Sequence, residues 1–255
     1  MKFINEKDLF LLEEVVRKNF SAKYKDSVLG ILWSVVYPLS MTIVITVVFS
    51  TMLGRGIDNY PVYLLAGRCV FFYFVTTVGS TMNVIRSNKN ILKKTASPKY
   101  IFVLGAVISE FLNSLITFML LIVVMIVTNA PLHLTMFFAF IPVIPLIMMV
   151  TGFGFFMSVI SVYYSDVRHM WRVISQLLLY SSALFYSMDK VPEPFHQYLI
   201  LSPLYWLIEQ FRDFVVYGII PNSVNIINSY LISAIILVFG IIIFKKYEGN
   251  LLMQF

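Results

Sequence analysis

The sequence predicts an all-α polytopic membrane protein with six transmembrane helices and both termini in the cytoplasm. Of its 255 residues, 59% are hydrophobic and 13% are charged, whereas soluble domains contain about 45–50% apolar and about 25% charged residues. Six separate segments are apolar enough to span a bilayer, which requires about 20 residues each. The basic residues lie mainly in alternate connections between these segments, which sets a single orientation.

The six predicted spans are residues 28–53, 60–84, 100–128, 135–162, 171–188 and 223–244. Residues 1–27 precede the first span, and residues 28–255 form the transmembrane domain. The beginning of the chain, MKFINEKDLFLLEE, has acidic residues where a signal peptide has its apolar core, so it is not expected to be a cleaved targeting segment.

The orientation follows from the distribution of lysine and arginine. Basic residues are concentrated in residues 1–27, in residues 86–99, in residues 166–172 and in the tail at Lys245 and Lys246. The opposite side carries only Arg55, Lys190 and Arg212. Because cytoplasmic loops are enriched in lysine and arginine, both termini are expected to be cytoplasmic. Basic residues placed between apolar spans in this way do not indicate a nucleic-acid partner.

Two cytoplasmic segments each allow two interpretations. In residues 1–27, apolar side chains recur at spacings of three and four, and Glu13–Arg17 is a favourable i,i+4 pair. This helix either anchors the chain at the membrane surface or also braces a cytoplasmic partner. Residues 86–97 are either an ordinary cytoplasmic anchor or a docking element for an acidic groove on another protein. Their candidate contact residues are Arg86, Lys89, Ile91, Leu92, Lys93 and Lys94.

The outer region, residues 189–221, is apolar but interrupted by prolines. Its two helical pieces, residues 195–201 and 204–218, are each too short to cross a bilayer. They lie either on the outer surface or, as we favour, as two re-entrant helices beside a translocation path. Glu209, Arg212 and Asp213 share one face of the second piece, and they are expected to face protein or water.

Apart from Arg172 at the start of the fifth, only Arg68 and Glu110 are formally charged inside the predicted spans. Such residues are either functional or structural, and their small number argues against an ion-coupled carrier. Some of the many aromatic residues are expected to line a path for sugars. The candidates for this path are Trp33, Tyr37, Tyr180, Phe185 and Tyr186.

Several kinds of site are not expected. The three histidines fall in three different loops, which predicts no metal centre, and the lone Cys69 cannot form an internal disulfide. No glycine is followed by lysine, which excludes a GxxxxGK[ST] phosphate loop, so any ATP hydrolysis needs a separate subunit. His196 near Glu193 leaves open a membrane-embedded transferase as an alternative.

Three motifs resemble the ABC-2 family of transporter permeases, in its polysaccharide-exporting branch (O-antigen, capsule and teichoic acid). The first is KYKDSVLGILWSVVYPL (23–39), the second SVYYSDVRHM (161–170), and the third LSPLYWLIEQFRDFVVYG (201–218). Together with the length and the six spans, the resemblance covers essentially the whole chain. Ser165, Ser202 and Arg68 depart from the family pattern, Arg68 by replacing a residue that is usually apolar.

The resemblance implies a homodimer in the cytoplasmic (inner) membrane, assembled with two copies of an ATP-binding subunit that carries the ATP and Mg²⁺. This chain would itself bind no cofactor and would not be an enzyme. Residues 86–97 would be the coupling helix, with Glu13 and Arg17 beside it. The cargo would be a polyprenyl-diphosphate-linked glycan, whose diphosphate we expect to be attracted by Lys23, Tyr24 and Lys25. A related permease for a drug or a lipid remains the alternative.

Overall fold

The computed structural model describes residues 6–24, 30–50, 56–95 and 97–254, and all regular structure in these ranges is helical. Short 3₁₀ turns and one π-helical turn connect or extend the α-helices. The all-α prediction is thereby confirmed for the described residues. The α-helices are α1 (Glu6–Tyr24), α2 (Trp33–Phe49), α3 (Tyr60–Ser87), α4 (Lys89–Lys94), α5 (Lys99–Val127), α6 (Phe140–Tyr163), α7 (Val167–Ser181), α8 (His196–Ile200), α9 (Pro203–Arg212) and α10 (Ser223–Tyr247).

Five helical segments are long and apolar enough to cross a membrane, and they coincide with the first four and the last of the predicted spans. They are Gly30–Phe49, Tyr60–Ser87, Lys99–Val127, Leu134–Tyr163 and Ser223–Gln254. Each contains at least 20 residues, which is enough for a hydrocarbon core of about 30 Å.

The fifth predicted span, residues 171–188, has different boundaries in the structure. Its helix, α7, begins earlier, at Val167, and ends at Ser181 after 15 residues, a length of about 22 Å. The chain then turns at Ala183, which has a positive φ of 49°. The helix stops there because side chains of α3 and α9 bind the carbonyl groups that follow it, as described below.

Helix α3 lies at the centre of the protein. In the most apolar stretch of α3, 78% of the residues are buried by the rest of the chain. The corresponding share is 11% for the segment that contains α2. It packs against α5, α6 and α9. The exposed side of α2 is apolar and partly aromatic, so it is available for lipid or for another protein chain.

Helices α6 and α10 form the closest helix pair. A Cβ atom on Gly152 would lie 2.5 Å from the carbonyl oxygen of Ile236, and one on Gly240 would overlap the carbonyl of Gly152. Ser229 and Ser233 are buried on the same helix, α10. Small residues at such a contact let two transmembrane backbones approach closely, which maximises van der Waals packing.

Helix α1 packs on the first half of α5. Val15 is its buried residue, and a Cβ atom on Gly105 of α5 would lie 2.5 Å from the Val15 side chain. Leu9 and Phe10 remain exposed. Glu14 and Lys18 also have the i,i+4 spacing of an ion pair, but Lys18 Nζ instead donates a hydrogen bond of 2.8 Å to Asn88 Oδ1, between α3 and α4. Helix α1 is therefore held against the rest of the protein by Val15 and Lys18, and its exposed edge at Leu9 and Phe10 is apolar.

Candidate functional site

A cavity of about 470 Å³ lies between the end of α1 and helices α2, α3 and α5. Four residues predicted to contact cargo line it together: Lys23 and Tyr24 from α1, and Trp33 and Tyr37 from α2. Its volume falls within the range of about 300–1,000 Å³ typical of small-molecule sites. Lys25, the third residue predicted at the diphosphate entry, and Leu29 of the first motif lie outside the described residues.

Polar contacts hold the end of α1 against α5 and α2. Lys23 Nζ forms an ion pair with Glu110 Oε2 at 3.0 Å. The Tyr24 hydroxyl donates to Asn113 Oδ1 at 2.5 Å and also contacts the Ser34 hydroxyl. Since the tyrosine has one proton, the Ser34 hydroxyl donates to it. One tyrosine therefore joins α1, α2 and α5 at the wall of the cavity.

The polar wall contributed by α5 is a feature that the sequence analysis missed. Glu110, Asn113, Ser114 and Thr117 all line the cavity. Their spacing of i, i+3, i+4 and i+7 puts them on one face of an otherwise apolar helix. That periodicity is visible in the sequence, and it could have located this wall. Arg68 of α3 lines the same cavity.

The other three predicted path residues lie elsewhere, near the opposite end of α2. The rings of Tyr180 and Phe185 are 6.0 Å apart, and Phe185 stacks on Phe49, the last residue of α2, at 6.4 Å. The Tyr186 hydroxyl donates to the carbonyl of Tyr180 at 2.5 Å. Trp33 and Phe49 are separated by about 24 Å of helix. The predicted path residues thus form two groups, one at each end of α2.

On the side that carries most of the basic residues, α4 presents Lys89, Ile91, Lys93 and Lys94 to solvent, and Arg86 is half-buried. Leu92 was predicted as a partner contact, but the structure corrects this: it is only 4% exposed and packs in a cluster that includes Val15. Leu92 therefore anchors α4 to the body of the protein, and the lysines point away from it. Glu13 and Arg17 of α1 are exposed.

Arg212 on α9 is fully buried and binds four groups besides its neighbour Glu209. Its guanidinium lies 3.5 Å from the centre of the Tyr63 ring, and Nη1 donates to the Tyr63 hydroxyl at 2.8 Å. Nη1 and Nη2 donate to the carbonyls of Ala183 and Leu184 at 3.1 and 2.9 Å, and Nε donates to the Tyr63 carbonyl. Gly67 leaves the space that this side chain occupies.

Side chains of α3 and α9 also bind the backbone of the non-helical segment that follows α7. The Tyr60 hydroxyl donates to the carbonyl of Phe185 at 2.9 Å, and the Tyr63 hydroxyl donates to that of Tyr186 at 2.7 Å. With the two carbonyls bound by Arg212, four consecutive non-helical carbonyl groups are satisfied by side chains. Irregular backbone inside a membrane protein requires this kind of internal pairing.

Asp213, the neighbour of Arg212, titrates at an unusual pH. Burial raises its pKa to about 6, Glu209 adds to the rise, and Arg212 opposes it. The folded state therefore binds the proton more tightly than the unfolded state, in which aspartate has a pKa of about 3.9. The wild-type protein loses stability as the pH rises from about 4 to about 6, because the buried carboxylate must then be charged.

We therefore expect Asp213→Asn to raise the unfolding temperature at pH 7.5 by a few degrees. The gain should disappear near pH 4, where the wild-type carboxyl group is also neutral. Thermal unfolding of the purified protein across this pH range measures both values. Asp58→Asn, at an exposed aspartate, is the matched control. An equal effect of Asp213→Asn at both pH values would contradict this account.

His196 is engaged by the backbone of its own segment. Its Nε2 lies 2.7 Å from the carbonyl oxygen of Val191, an arrangement in which this nitrogen carries the proton. Among the described residues, no group of three or more His, Cys, Asp or Glu side chains could hold a metal ion. The geometry around His196 thus gives the transferase alternative no further support.

Five long apolar helical segments, packed around a cavity lined by aromatic rings and one polar wall, are the architecture of a multi-pass membrane protein. A family model described as ABC-2 type transporter matches residues 11–216, and the chain belongs to this family.

Relatives with functional names match nearly the full chain. The chain is 28% identical over 240 residues to an O-antigen export system permease protein, RfbA, from Klebsiella pneumoniae, covering 93% of this chain and 92% of the relative. It is 22% identical over 233 residues to an RfbA protein of Myxococcus xanthus, covering 89% and 88%. It is 21% identical over 247 residues to the polysialic acid transport protein KpsM of Escherichia coli, covering 96% and 93%.

Proposed function

We propose that this protein is the transmembrane subunit of an ATP-driven exporter that moves a lipid-linked polysaccharide across the cytoplasmic membrane. The observation that carries the proposal is the nearly full-length match to permeases named for O-antigen and polysialic acid transport. Membership of the ABC-2 family adds an ATP-binding subunit as partner. The cargo that we propose is a polyprenyl-diphosphate-linked glycan.

The two aromatic groups at the ends of α2 support a path along this helix. Trp33 and Tyr37 line the cavity at one end, and Phe185 and Tyr180 lie near Phe49 at the other end. Aromatic faces suit the C–H faces of sugar rings, and the polar wall of α5 offers partners for hydroxyl groups. The exposed sides of α2 and α7 carry Tyr37, Val47, Val173 and Tyr180. We propose that these sides face each other across the axis of a homodimer.

The proposed path along α2 can cross the bilayer only if α7, α8 and α9 also lie within the membrane. We propose that α7 and the segment after it make the sixth crossing, and that α8 and α9 re-enter from the outer side. The buried carbonyl groups of residues 183–186 support this placement, because they need no water. Both termini would then lie in the cytoplasm with the basic loops.

A chain of contacts can couple the ATP-binding subunit to the cavity. We propose that this subunit docks on the exposed residues of α4, with Glu13 and Arg17 nearby. Asn88, at the start of α4, accepts the hydrogen bond from Lys18 of α1. The same rigid helix carries Lys23 and Tyr24 into the cavity. A displacement of α4 would therefore move the wall of the cavity through α1.

Reversing two charges on α4, Lys93→Glu with Lys94→Glu, is expected to reduce export at least about tenfold, since opposed like charges in an interface cost several kcal/mol. The ATP-binding subunit should no longer co-purify in mild detergent. Lys245→Glu with Lys246→Glu makes the same charge change on the exposed end of α10 and should retain both export and co-purification. Full co-purification with the α4 variant would place the docking site elsewhere.

The proposed function is tested by deleting the gene in its native cells. We expect the surface polysaccharide to disappear and the lipid-linked glycan to accumulate inside, with both effects reversed by a plasmid copy. Unchanged surface polysaccharide would refute export of a glycan, and drug or lipid transport would then be measured instead.

A further inference from the structure

Arg68 is a buried charge that the fold does not explain. It lies in the first third of α3, about 12 Å along the helix from Tyr60, and only 4% of it is exposed. Charged side chains within a transmembrane segment are costly, and they mark functional sites unless a structural partner neutralises them. The contacts of Arg68 therefore decide between these two roles.

The two buried arginines of the protein have opposite surroundings. Arg212 donates hydrogen bonds to carbonyl, hydroxyl and carboxylate groups. Arg68 stacks over the Phe72 ring, with its guanidinium carbon 4.4 Å from the ring centre. Its Nε is buried and has no hydrogen-bond partner among the described residues. A buried donor without an acceptor costs free energy, so Arg212 is a structural tie and Arg68 is not.

The position of Arg68 relative to the cavity points to a ligand. Its side chain lines the same 470 Å³ space as Trp33, Tyr37 and Lys23. The carboxylate of that space, Glu110, pairs with Lys23 at 3.0 Å. Within the described part of the cavity, Arg68 is therefore the cation without a carboxylate. A guanidinium offers a planar fork of donors that matches a phosphate or a carboxylate.

We propose that Arg68 binds an anionic group of the cargo, a phosphate of the lipid carrier or a carboxylate of the glycan, as the cargo passes through this cavity. This inference rests on the proposed function, and it adds the chemical class of group that the permease recognises. The face of Phe72 keeps the guanidinium in place and leaves its edge for the anion. Trp33 and Tyr37 contact the adjoining sugar or lipid.

Binding of defined probes to the full-length protein in phosphatidylcholine nanodiscs tests this proposal. Radiolabelled farnesyl diphosphate represents the phosphate source, with farnesol as its uncharged counterpart. A hyaluronan hexasaccharide represents the carboxylate source, with hexa-N-acetylchitohexaose as its uncharged counterpart. The variants are Arg68→Met, which removes the charge, and Arg68→Lys, which keeps the charge but loses the fork. Lys190→Met, at an exposed lysine that does not line the cavity, controls for net charge.

For Arg68→Met, we expect the affinity for at least one anionic probe to fall at least about tenfold, the usual effect of losing a charged hydrogen bond. Arg68→Lys should be intermediate, and Lys190→Met should equal the wild type. Dependence of the diphosphate on Arg68 identifies the lipid carrier as the source, and dependence of the hexasaccharide identifies the glycan. Wild-type affinity of Arg68→Met for both anionic probes would overturn the proposal.

The wild-type protein provides a test that needs no variant to fold. At least one anionic probe should bind about tenfold more tightly than its uncharged counterpart. Equal binding within both pairs would overturn the proposal. These measurements need no ATP-binding subunit, so they are independent of the gene deletion. Loss of polysaccharide on deletion without Arg68-dependent binding refutes this inference alone, whereas retained polysaccharide refutes the proposed function.

Discussion

Arg212→Met is expected to prevent most of the protein from accumulating in a folded form. The change leaves the carbonyls of Ala183 and Leu184 and the Tyr63 hydroxyl without the donor that they have in the wild type. Removing one partner from a buried charged network costs about 3–5 kcal/mol. Because the bound carbonyls belong to the non-helical segment after α7, this segment would lose its position against α3.

Fluorescence-detected gel filtration with thermal challenge measures the amount and the stability of this variant. We expect the unfolding temperature to fall by about 10 °C or more. Arg212→Lys keeps a charge but cannot reach all of these groups at once, so it should also be unstable. Arg172→Met, at an exposed arginine on α7, is the control. Wild-type stability of Arg212→Met would show that this network contributes little.

Gly240→Ala should also be strongly destabilising, for a reason of space rather than charge. The added methyl group would overlap the backbone of Gly152 on α6. A flexible side chain could rotate away, but a helix backbone cannot, so α6 and α10 would have to separate. Overpacking of this kind costs about 1–3 kcal/mol, and a backbone obstacle places this site at the upper end.

The matched control for this prediction is Gly249→Ala, where an added Cβ atom meets nothing within 4 Å. The unfolding temperature of each variant in the same detergent gives the comparison. We expect Gly240→Ala to lose several degrees and Gly249→Ala to lose none. If both variants unfold like the wild type, α6 and α10 do not pack by the close glycine contact described above.

The long apolar helices were predictable because a span is defined by local composition. The segments Gly30–Phe49, Tyr60–Ser87 and Lys99–Val127 match their predicted ranges within a few residues. The end of α7 was not predictable, since residues 182–188 are as apolar as a helix that continues. It depends on Arg212 and Tyr63, which are distant in sequence and whose hydrogen bonds replace those of the helix. Tertiary contacts of this kind leave no periodicity in the segment that they break.

The candidate site was predictable only in part, for a similar reason. Residue type and motif resemblance selected Lys23, Tyr24, Trp33 and Tyr37, which the fold brings into one cavity. Leu92 was predicted as a partner contact together with Ile91, but it is buried, because a short helix that packs on a protein must bury one side. The polar face of α5 was missed because three of its four polar side chains, Asn113, Ser114 and Thr117, carry no formal charge within an apolar span.

The ion pair between Lys23 and Glu110 has a consequence for the release of cargo. Glu110 is an anion that belongs to the protein, and it lies 3.0 Å from the lysine at the wall of the cavity. In the proposed exporter, an arriving anion would have to displace this carboxylate from Lys23, and the carboxylate would return when the cargo moved on. Such competition would limit the affinity of the entrance for any one anion. The proposed permease would then release its cargo readily from the first binding step and would reset itself after each passage.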